Sequence, residues 1–167
     1  MAPPLNNNHR GGAAIIITGE KGVGKTTLVK KVVDTMEYRW YGVISERFEK
    51  GYSVKDVRTG ETRILCSTDP IGIKVRGFYF DPDALSFIEK SLQRGGDLLV
   101  YDEIGWLETQ TDFDIFKYLT DKALLIVRKE LIDEVSKQFT AIIFEVTKEN
   151  REELLDLIVA ELSNNKD

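Results

Sequence analysis

Apolar runs of strand length alternate with stretches of helical period along most of this chain. Residues 13–17 form a continuous apolar run, as in a strand that is buried on both faces. From about Lys25, five apolar residues recur on one helical face: Leu28, Val29, Val32, Val33 and Met36. Because strands joined by crossover helices build parallel sheets, this order predicts an α/β fold with helices on both faces of a mostly parallel sheet.

The alternation continues through the second half of the chain. A helix is predicted between Asp81, which has the character of an N-cap, and Gly95, a stop signal. Another helix is predicted near 112–119, opened by Thr111 with Asp114 three residues later. The other predicted elements are strands at 98–101, 123–127 and 141–146, a helix at 130–138 and a final helix that ends near Leu162.

Residues 43–65 do not follow this alternation. They are rich in β-forming residues, show no helical face and contain two polar turn clusters, at 49–51 and 58–61. The pattern predicts one or two antiparallel hairpins inserted into a single domain that runs from residue 13 to residue 167. Residues 1–12 are mainly Pro, Asn and Gly and predict a flexible tail, so His9 is not expected to act in catalysis or metal binding.

Composition narrows the classes of partner. The 23 Lys and Arg and the 28 Asp and Glu residues give a net charge of −5 and are mixed along the chain, so nucleic acid, which needs a basic face, is not an expected partner. No apolar run reaches the roughly 18 residues of a membrane helix, and the N-terminal residues lack the order of a signal peptide. The single cysteine, Cys66, excludes an internal disulfide framework and a CxxC metal site. These features predict a cytoplasmic protein without a membrane anchor.

A glycine-rich segment lies between the first predicted strand and the first predicted helix. Its sequence, GEKGVGKTT, fits the GxxxxGKT pattern of a phosphate-binding loop. Glycines allow successive backbone N–H groups to face phosphate oxygens, and the helix N-terminus adds partial positive charge. Lys25 is expected to reach the β- and γ-phosphates, and the Thr26 hydroxyl to bind Mg²⁺. The residues predicted to bind the nucleotide here are Gly19, Glu20, Lys21, Gly22, Val23, Gly24, Lys25, Thr26 and Thr27.

An acidic pair follows the apolar strand predicted at 98–101. The segment 97–105, DLLVYDEIG, has the form of a Walker B motif. Because ligands collect at the carboxyl ends of parallel strands, Asp102 is expected to hold Mg²⁺. Glu103 lies beside this metal ligand, where a general base could polarise the attacking water. The alternative for Glu103 is an exposed acidic turn without a catalytic role.

The letters DEIG also fit the DxxG pattern of GTPase switch regions. Such GTPases usually carry an [NT]KxD segment after the last strand, in which the aspartate pairs with guanine. Here residues 147–150 read TKEN, which lacks that aspartate. The sequence therefore gives no support for guanine specificity, and the adjacent Asp102 and Glu103 favour a metal-assisted hydrolase.

Together these motifs resemble the small P-loop nucleoside-triphosphatase family, which is the family of the cancer-related nucleoside triphosphatase. The resemblance extends from about Ala13 to the last predicted helix. Five segments carry it: ITGEKGVGKTTLVKKVV (17–33), GVISERFEKGYSVKDVRTGE (42–61), GDLLVYDEIGWLE (96–108), LIVRK (125–129) and EVTKENREEL (145–154). The first and third of these segments are common to many P-loop enzymes, whereas the second and fifth make the match specific.

The resemblance implies Mg²⁺-dependent hydrolysis of several nucleoside triphosphates (ATP, GTP, CTP and UTP) with weak base preference. It also implies a three-layer, RecA-like arrangement of sheet and helices. Carried over residue by residue, it assigns Lys25 and Thr26 to phosphate and metal, Asp102 to metal and Glu103 to water activation. Glu108 matches a glutamate that this family places after its DEIG turn.

Two departures from the family pattern concern the surroundings of the γ-phosphate. Trp106 stands where the family usually has Pro or Lys, and residues 127–129, VRK, lack the histidine often found beside the arginine. Arg128 follows an apolar strand and could act in catalysis by neutralising charge on the transferred phosphoryl group, or could simply begin a helix. Asn150 and Arg151 follow the last strand and could contact the nucleotide base, or cap the last helix.

Two further functions fit the sequence. A small-molecule kinase would use the same phosphate loop, but such kinases usually close an arginine-bearing lid. The arginines of the β-rich region are scattered, although Arg47 or Arg76 could fold back. A nucleotide-controlled binding module would instead pair a partner with an open strand edge of the hairpins at 43–65. The sequence identifies neither a protein partner nor a phosphoryl acceptor.

Overall fold

Nine strands form one mixed sheet within residues 13–164, the part of the chain that the computed structural model describes. The tail predicted over residues 1–12, with His9, lies outside the described residues. The order of the strands across the sheet is β5-β6-β4-β3-β2-β7-β8-β1-β9. Their bounds are β1 (Ala14–Thr18), β2 (Trp40–Phe48), β3 (Gly51–Asp56), β4 (Thr62–Ser67), β5 (Ile73–Val75), β6 (Phe78–Phe80), β7 (Leu98–Ile104), β8 (Ala123–Val127) and β9 (Ala141–Glu145).

Five neighbouring strands are parallel to one another and form the centre of the fold: β2, β7, β8, β1 and β9. Every residue of β1 and β8 is buried, as expected for continuous apolar runs covered on both faces. Ile15 and Ile17 of β1 pack on the side of α1 and α5, whereas Ala14 and Ile16 pack on the side of α2. The helices are α1 (Lys25–Thr35), α2 (Pro82–Gln93), α3 (Trp106–Gln110), α4 (Ile132–Ser136) and α5 (Arg151–Asn164).

Both faces of the sheet are therefore covered by helices, and the predicted three-layer α/β architecture is observed. The capping signals of α2 act as the sequence indicates, because the Asp81 side chain accepts a hydrogen bond from the N–H of Asp83 at 2.9 Å. No helix among the described residues has both the length and the apolar character needed to cross a membrane.

The predicted antiparallel hairpins are present, but they continue the main sheet and extend beyond residue 65. The strand pairs β2–β3 and β3–β4 are antiparallel, and a third hairpin, β5–β6, follows before α2. The outer edge of β4 pairs with β6 at Cys66 and Ser67, and the N–H of Asp81 donates to the carbonyl oxygen of Leu65 at 3.0 Å. The outer edge of β4 is therefore covered at residues 65–67, so the open edge expected for residues 43–65 is contradicted at Leu65.

The helix predicted at 112–119 is wrong. The helical turn lies earlier, in α3, and Thr111 ends it instead of opening a new one. The Thr111 hydroxyl donates to the carbonyl oxygen of Leu107 at 2.5 Å and accepts from the N–H of Phe113 at 3.1 Å. Phe113 and Ile115 are two positions apart and are both buried. In an α-helix, side chains two positions apart would point to different faces. Within residues 112–119, the helical structure is limited to a 3-10 turn at Phe116–Tyr118.

The helix predicted at 130–138 is shorter than expected. A 3-10 turn occupies Lys129–Leu131, and α4 follows it. Val135 is the buried residue of α4 and packs in the same core as α2.

The carboxyl ends of β1, β8 and β7 adjoin one another at one edge of the sheet, because these strands are parallel and β8 lies between the other two. We refer to these three strand ends as the carboxyl edge.

Candidate active site

The phosphate loop, residues 19–27, connects β1 to α1. Gly19 and Gly24 have φ values of 149° and 95°, which residues other than glycine rarely adopt. A Cβ on Gly19 would lie 2.6 Å from the carbonyl oxygen of Val146, so the close approach also requires glycine. Gly24 is the N-cap of α1 and brings no side chain to its first N–H groups, which suits a phosphate site. Val23 is buried in the core, and the exposed loop residues are Glu20, Lys21, Gly22 and Thr27.

Lys25, the first residue of α1, turns back over the loop. Its Nζ donates a hydrogen bond to the carbonyl oxygen of Gly19 at 2.8 Å and lies 3.7 Å from Oε2 of Glu103. The Lys25 side chain is only 13% exposed, so its charge is directed to the interior of the site. The predicted phosphate lysine and the predicted general base therefore lie beside each other.

Thr26 and Asp102 meet although 76 positions separate them in the sequence. The Thr26 hydroxyl donates to Oδ2 of Asp102 at 2.8 Å. Burial raises the pKa of Asp102 to about 7, although the hydrogen bond from Thr26 opposes this rise. A divalent cation beside the carboxylate would favour its ionised form. Hydroxyl and carboxylate oxygens are ligands that Mg²⁺ prefers, so this pair fits the predicted metal site.

The chain supplies only part of a magnesium coordination shell. Within residues 13–164, no group of three or more His, Cys, Asp or Glu side chains could hold a metal ion. Mg²⁺ usually binds through one or two carboxylates and completes its shell with water and substrate phosphates. Thr26 and Asp102 therefore fit a cation that arrives together with a triphosphate.

Glu103 lies where β7 departs from regular pairing with β8. The register between the two strands shifts between Asp102 and Ile104. The Glu103 side chain is 33% exposed, and burial raises its pKa while the charges of Lys25 and Arg128 oppose this rise. A partly exposed carboxylate that faces two cations at a phosphate site is suited to bind and orient a water molecule. Glu103 belongs to β7 and is only partly exposed, unlike the exposed acidic turn of the alternative, and its role as a base stays a prediction.

Glu108 is buried and uses both of its oxygens within the protein. Oε2 accepts from the hydroxyl of Tyr101 at 2.5 Å, and Oε1 accepts from the N–H of Gly105 at 2.8 Å. Burial raises the pKa of both Glu108 and Tyr101. A glutamate that bonds the N-cap N–H of its helix forms half of a capping box, and its position three residues after Gly105 is a signal that the sequence carries. Glu108 therefore fixes the turn that follows Glu103.

Arg128 directly follows β8 and lies between the phosphate loop and the acidic pair. Its N–H donates to the carbonyl oxygen of Ile104 at 3.0 Å, and its guanidinium lies 5.5 Å from the centre of the Trp106 ring. Nε lies 3.3 Å from Oε2 of Glu130, yet it is buried and has no hydrogen-bond partner among the described residues. Arg128 is the N-cap of the 3-10 turn after β8, as the helix-initiating alternative expects, and its role in catalysis stays a prediction.

Asn150 and Arg151 have different surroundings. Oδ1 of Asn150 accepts from the N–H of Thr147 at 2.7 Å, and Nδ2 donates to the carbonyl oxygen of Glu145 at 3.0 Å. The Asn150 side chain therefore closes the loop between β9 and α5. Both of these bonds lie within the loop and not on the first N–H groups of α5, so they do not match the capping alternative. The Arg151 side chain lies against Gly24. One of its guanidinium nitrogens is 2.6 Å from the position that a Cβ on Gly24 would occupy. Arg151 thus borders the phosphate loop with its charged group.

One ionic link at the loop is not predicted by the sequence. Nζ of Lys129 donates to Oε1 of Glu20 at 3.1 Å and to Oε2 of Glu145 at 3.2 Å, and these two bonds raise the pKa of Lys129. The three residues come from the phosphate loop, the segment after β8 and the end of β9. No local pattern indicates such a contact between distant segments.

Known proteins of one family are similar to this chain. Residues 14–159 match a family model described as NTPase. The chain belongs to this NTPase family. A relative, the nucleoside-triphosphatase THEP1 of Thermotoga maritima, is 30% identical over 168 aligned positions, which cover 91% of this chain and 97% of the relative. The nucleoside-triphosphatase THEP1 of Metallosphaera sedula is 31% identical over 161 positions, which cover 89% and 86% respectively.

A solved structure of the same family has a similar fold. The crystal structure of THEP1 from the hyperthermophile Aquifex aeolicus gives a TM-score of 0.76 at 26% sequence identity, and the match covers 89% of this chain and 98% of that one. The predicted α/β P-loop fold, the resemblance to small P-loop nucleoside-triphosphatases and the assignment to an NTPase enzyme are thereby confirmed. The roles of individual residues in the family site stay predictions.

Proposed function

We propose that this protein is a Mg²⁺-dependent nucleoside-triphosphatase that hydrolyses ATP, GTP, CTP and UTP to the diphosphate and phosphate. Its relatives in two organisms bear the name nucleoside-triphosphatase, which supports the general activity. The observation that carries the proposal is the meeting of two segments: Thr26 bonds to Asp102, and Glu103 lies 3.7 Å from Lys25. This arrangement supports a pair of metal ligands and a carboxylate base beside one phosphate loop.

Each residue has one role in this proposal. Lys25 and the loop N–H groups bind the β- and γ-phosphates, while Thr26 and Asp102 hold Mg²⁺. When bound, the cation neutralises charge on the phosphate oxygens. Glu103 orients a water molecule towards the γ-phosphorus and takes its proton, as the new P–O bond forms and the bond to the nucleoside diphosphate breaks. Arg128 offers a second cation to the γ-phosphoryl group.

The proposed weak base preference follows from the residues near the loop. Arg151 carries a planar guanidinium over Gly24, and such a plane can stack on any base without reading its edges. The amide of Asn150 is engaged with the backbone of its own loop. The segment TKEN at 147–150 offers no aspartate to pair with guanine. These features support acceptance of several bases.

Phosphate release tests the proposal and separates it from a kinase. We expect the purified protein to release phosphate from all four triphosphates when Mg²⁺ is present and to stop when a chelator removes it. Addition of nucleosides or nucleotides as acceptors is expected to leave the rate unchanged. Triphosphate consumption only with an acceptor, together with a phosphorylated product, would contradict hydrolysis and support the kinase.

A further inference from the structure

The short hairpin formed by β5 and β6 reaches the carboxyl edge. Of the two arginines that could fold back, Arg47 stays within the hairpins, whereas Arg76, in the β5–β6 turn, reaches α3. The Arg76 guanidinium lies 4.1 Å from the centre of the Trp106 ring, and the Arg128 guanidinium lies 5.5 Å from the same centre. The Trp106 ring therefore connects the β5–β6 hairpin to Arg128, the residue that follows β8.

Arg76 has an unusual backbone conformation. Its φ is 58°, in the left-handed region that favours glycine. Glycine would occupy this turn without strain, yet the chain has an arginine whose side chain contacts Trp106. Strained backbone of this kind collects at functional sites, where the surrounding contacts maintain it. The conformation is therefore consistent with a role for this side chain beyond the turn.

Arg128 is a long side chain with few fixed contacts. The Arg128 Cδ only approaches Gly105, at 4.0 Å from the position that a Cβ on this glycine would occupy. The carboxylate that pairs with Arg128 belongs to Glu130, whose side chain is 60% exposed. Exposed ion pairs restrict a side chain only weakly. The face of an indole ring attracts a guanidinium and limits its directions, so Trp106 is the contact most able to hold Arg128 in one orientation.

We propose that Trp106 and Arg76 are positioning residues for Arg128. The Arg76 guanidinium holds the Trp106 ring, and this ring holds the Arg128 guanidinium towards the position of the γ-phosphoryl group. The inserted hairpin then supports phosphoryl transfer from a distance. This inference rests on the proposed function, because Arg128 acts there on the transferred group.

Substitution of Trp106 is the first test, with kcat and the Kd of a non-hydrolysable triphosphate analogue as readouts. Trp106→Leu removes the aromatic face, so kcat should fall about tenfold while Kd changes by about twofold or less. Trp106→Phe keeps an aromatic face and should recover most of the lost kcat. Tyr79→Leu is the matched control, because it removes a cation–π contact with Lys74, 5.8 Å away, in the same hairpin. It should leave kcat unchanged.

Arg76→Gly separates positioning from stability. Glycine relieves the left-handed backbone of residue 76, so the melting temperature should stay equal or rise. At the same time kcat should fall roughly threefold, because the Trp106 ring loses its guanidinium partner. An unchanged kcat in this folded variant would overturn the role of Arg76.

A double-mutant cycle with Arg128→Ala tests whether the effect passes through that arginine. If Trp106 acts by holding Arg128, Trp106→Leu should cause no further loss of kcat in the Arg128→Ala background. An equal loss in both backgrounds, or wild-type kcat in Trp106→Leu, would overturn the proposal.

Glu103→Gln distinguishes failure of this inference from failure of the proposed function. If Glu103→Gln is inactive while the Trp106 and Arg76 variants are fully active, only this inference fails. Wild-type turnover by Glu103→Gln would contradict the proposed function itself.

Discussion

At the scale of residues, the site consists of charges that are already close to one another. Lys25 contacts the Gly19 carbonyl oxygen and faces Glu103, and Thr26 contacts Asp102. Phosphate oxygens are stronger partners for an ammonium group than a single backbone carbonyl is. A bound triphosphate would therefore compete well for Lys25 and leave Glu103 beside the γ-phosphate.

Loss of Lys25 should remove both turnover and tight binding. Lys25→Ala deletes the cation that meets the β- and γ-phosphates, so we expect phosphate release to be abolished and triphosphate affinity to fall. Lys30→Ala is the matched control, since Lys30 lies on the same helix but pairs with Glu46 on the surface. Phosphate release and analogue titration are the measurements. Unchanged turnover in folded Lys25→Ala would contradict the assignment of the phosphate loop.

At the scale of elements, Asp56 attaches the inserted hairpins to α2. This fully buried carboxylate, the last residue of β3, accepts hydrogen bonds from Ser91 Oγ at 2.6 Å and Arg94 Nε at 2.9 Å. It also accepts from the N–H groups of Arg58 at 2.8 Å and Thr59 at 3.0 Å. Burial alone would raise its pKa, but these hydrogen bonds together lower it below the ordinary value. The ionised carboxylate is thus the form that joins the two elements.

The lowered pKa of Asp56 gives a prediction for stability against pH. Because the folded state favours the ionised form, this stabilisation is complete above the ordinary carboxyl pKa of about 3.9 and is lost as pH falls through the lower folded value. Asp56→Asn should lower the unfolding free energy at pH 7 by about 1–3 kcal/mol, and its difference from wild type should shrink in acid. Urea unfolding at several pH values measures this.

The control for Asp56 is Asp69→Asn. Asp69 is an exposed aspartate of the same region, 3.6 Å from Lys50, and its removal should change stability by less than about 0.5 kcal/mol. If Asp56→Asn were as stable as this control at pH 7, the carboxylate would not anchor the hairpins.

How far the sequence predicts these elements depends on the range of the contacts involved. The phosphate loop and the acidic strand are predictable because each motif lies within a dozen residues. The helix expected after Thr111 fails because a cap signal can also end a helix, and tertiary burial of Phe113 and Ile115 decides which occurs. The Arg76 contact with Trp106 joins residues thirty positions apart, and no local pattern encodes it.

At the scale of the whole molecule, strand order brings distant motifs together. The loop after β1, Arg128 after β8 and the acidic pair on β7 meet because these strands are parallel neighbours in the order β7-β8-β1. The start of α5 also reaches this site, because Arg151 borders Gly24 of the phosphate loop. In the proposed site, the sheet therefore brings the predicted catalytic residues together, and the exposed Arg151 is the residue proposed to contact the base.

This separation predicts similar rates for different triphosphates. Without a carboxylate that pairs with guanine, ATP and GTP should be hydrolysed with kcat/KM values within roughly tenfold of each other, a difference of about 1.4 kcal/mol. Steady-state phosphate release with each triphosphate measures this ratio. A hundredfold preference for either base would show that the chain reads base edges.

The two neighbouring carboxylates should respond differently to removal of their charge. Asp102→Asn should raise the Mg²⁺ concentration needed for activity and weaken both binding and turnover, because the cation loses its carboxylate ligand. Titration of a non-hydrolysable analogue at several Mg²⁺ concentrations measures this change. Equal Mg²⁺ dependence in the variant and the wild type would contradict the metal role of Asp102.

The most direct test of hydrolysis by this site is single-turnover cleavage of ATP by Glu103→Gln, combined with the same analogue titration. Glutamine has nearly the shape of glutamate and leaves Asp102 in place, so binding should be preserved. The account predicts that the rate of the chemical step falls by about 10² to 10⁴ with little change in Kd, because only the base is removed. Hydrolysis at the wild-type rate would contradict it, since the proton of the attacking water would then go elsewhere.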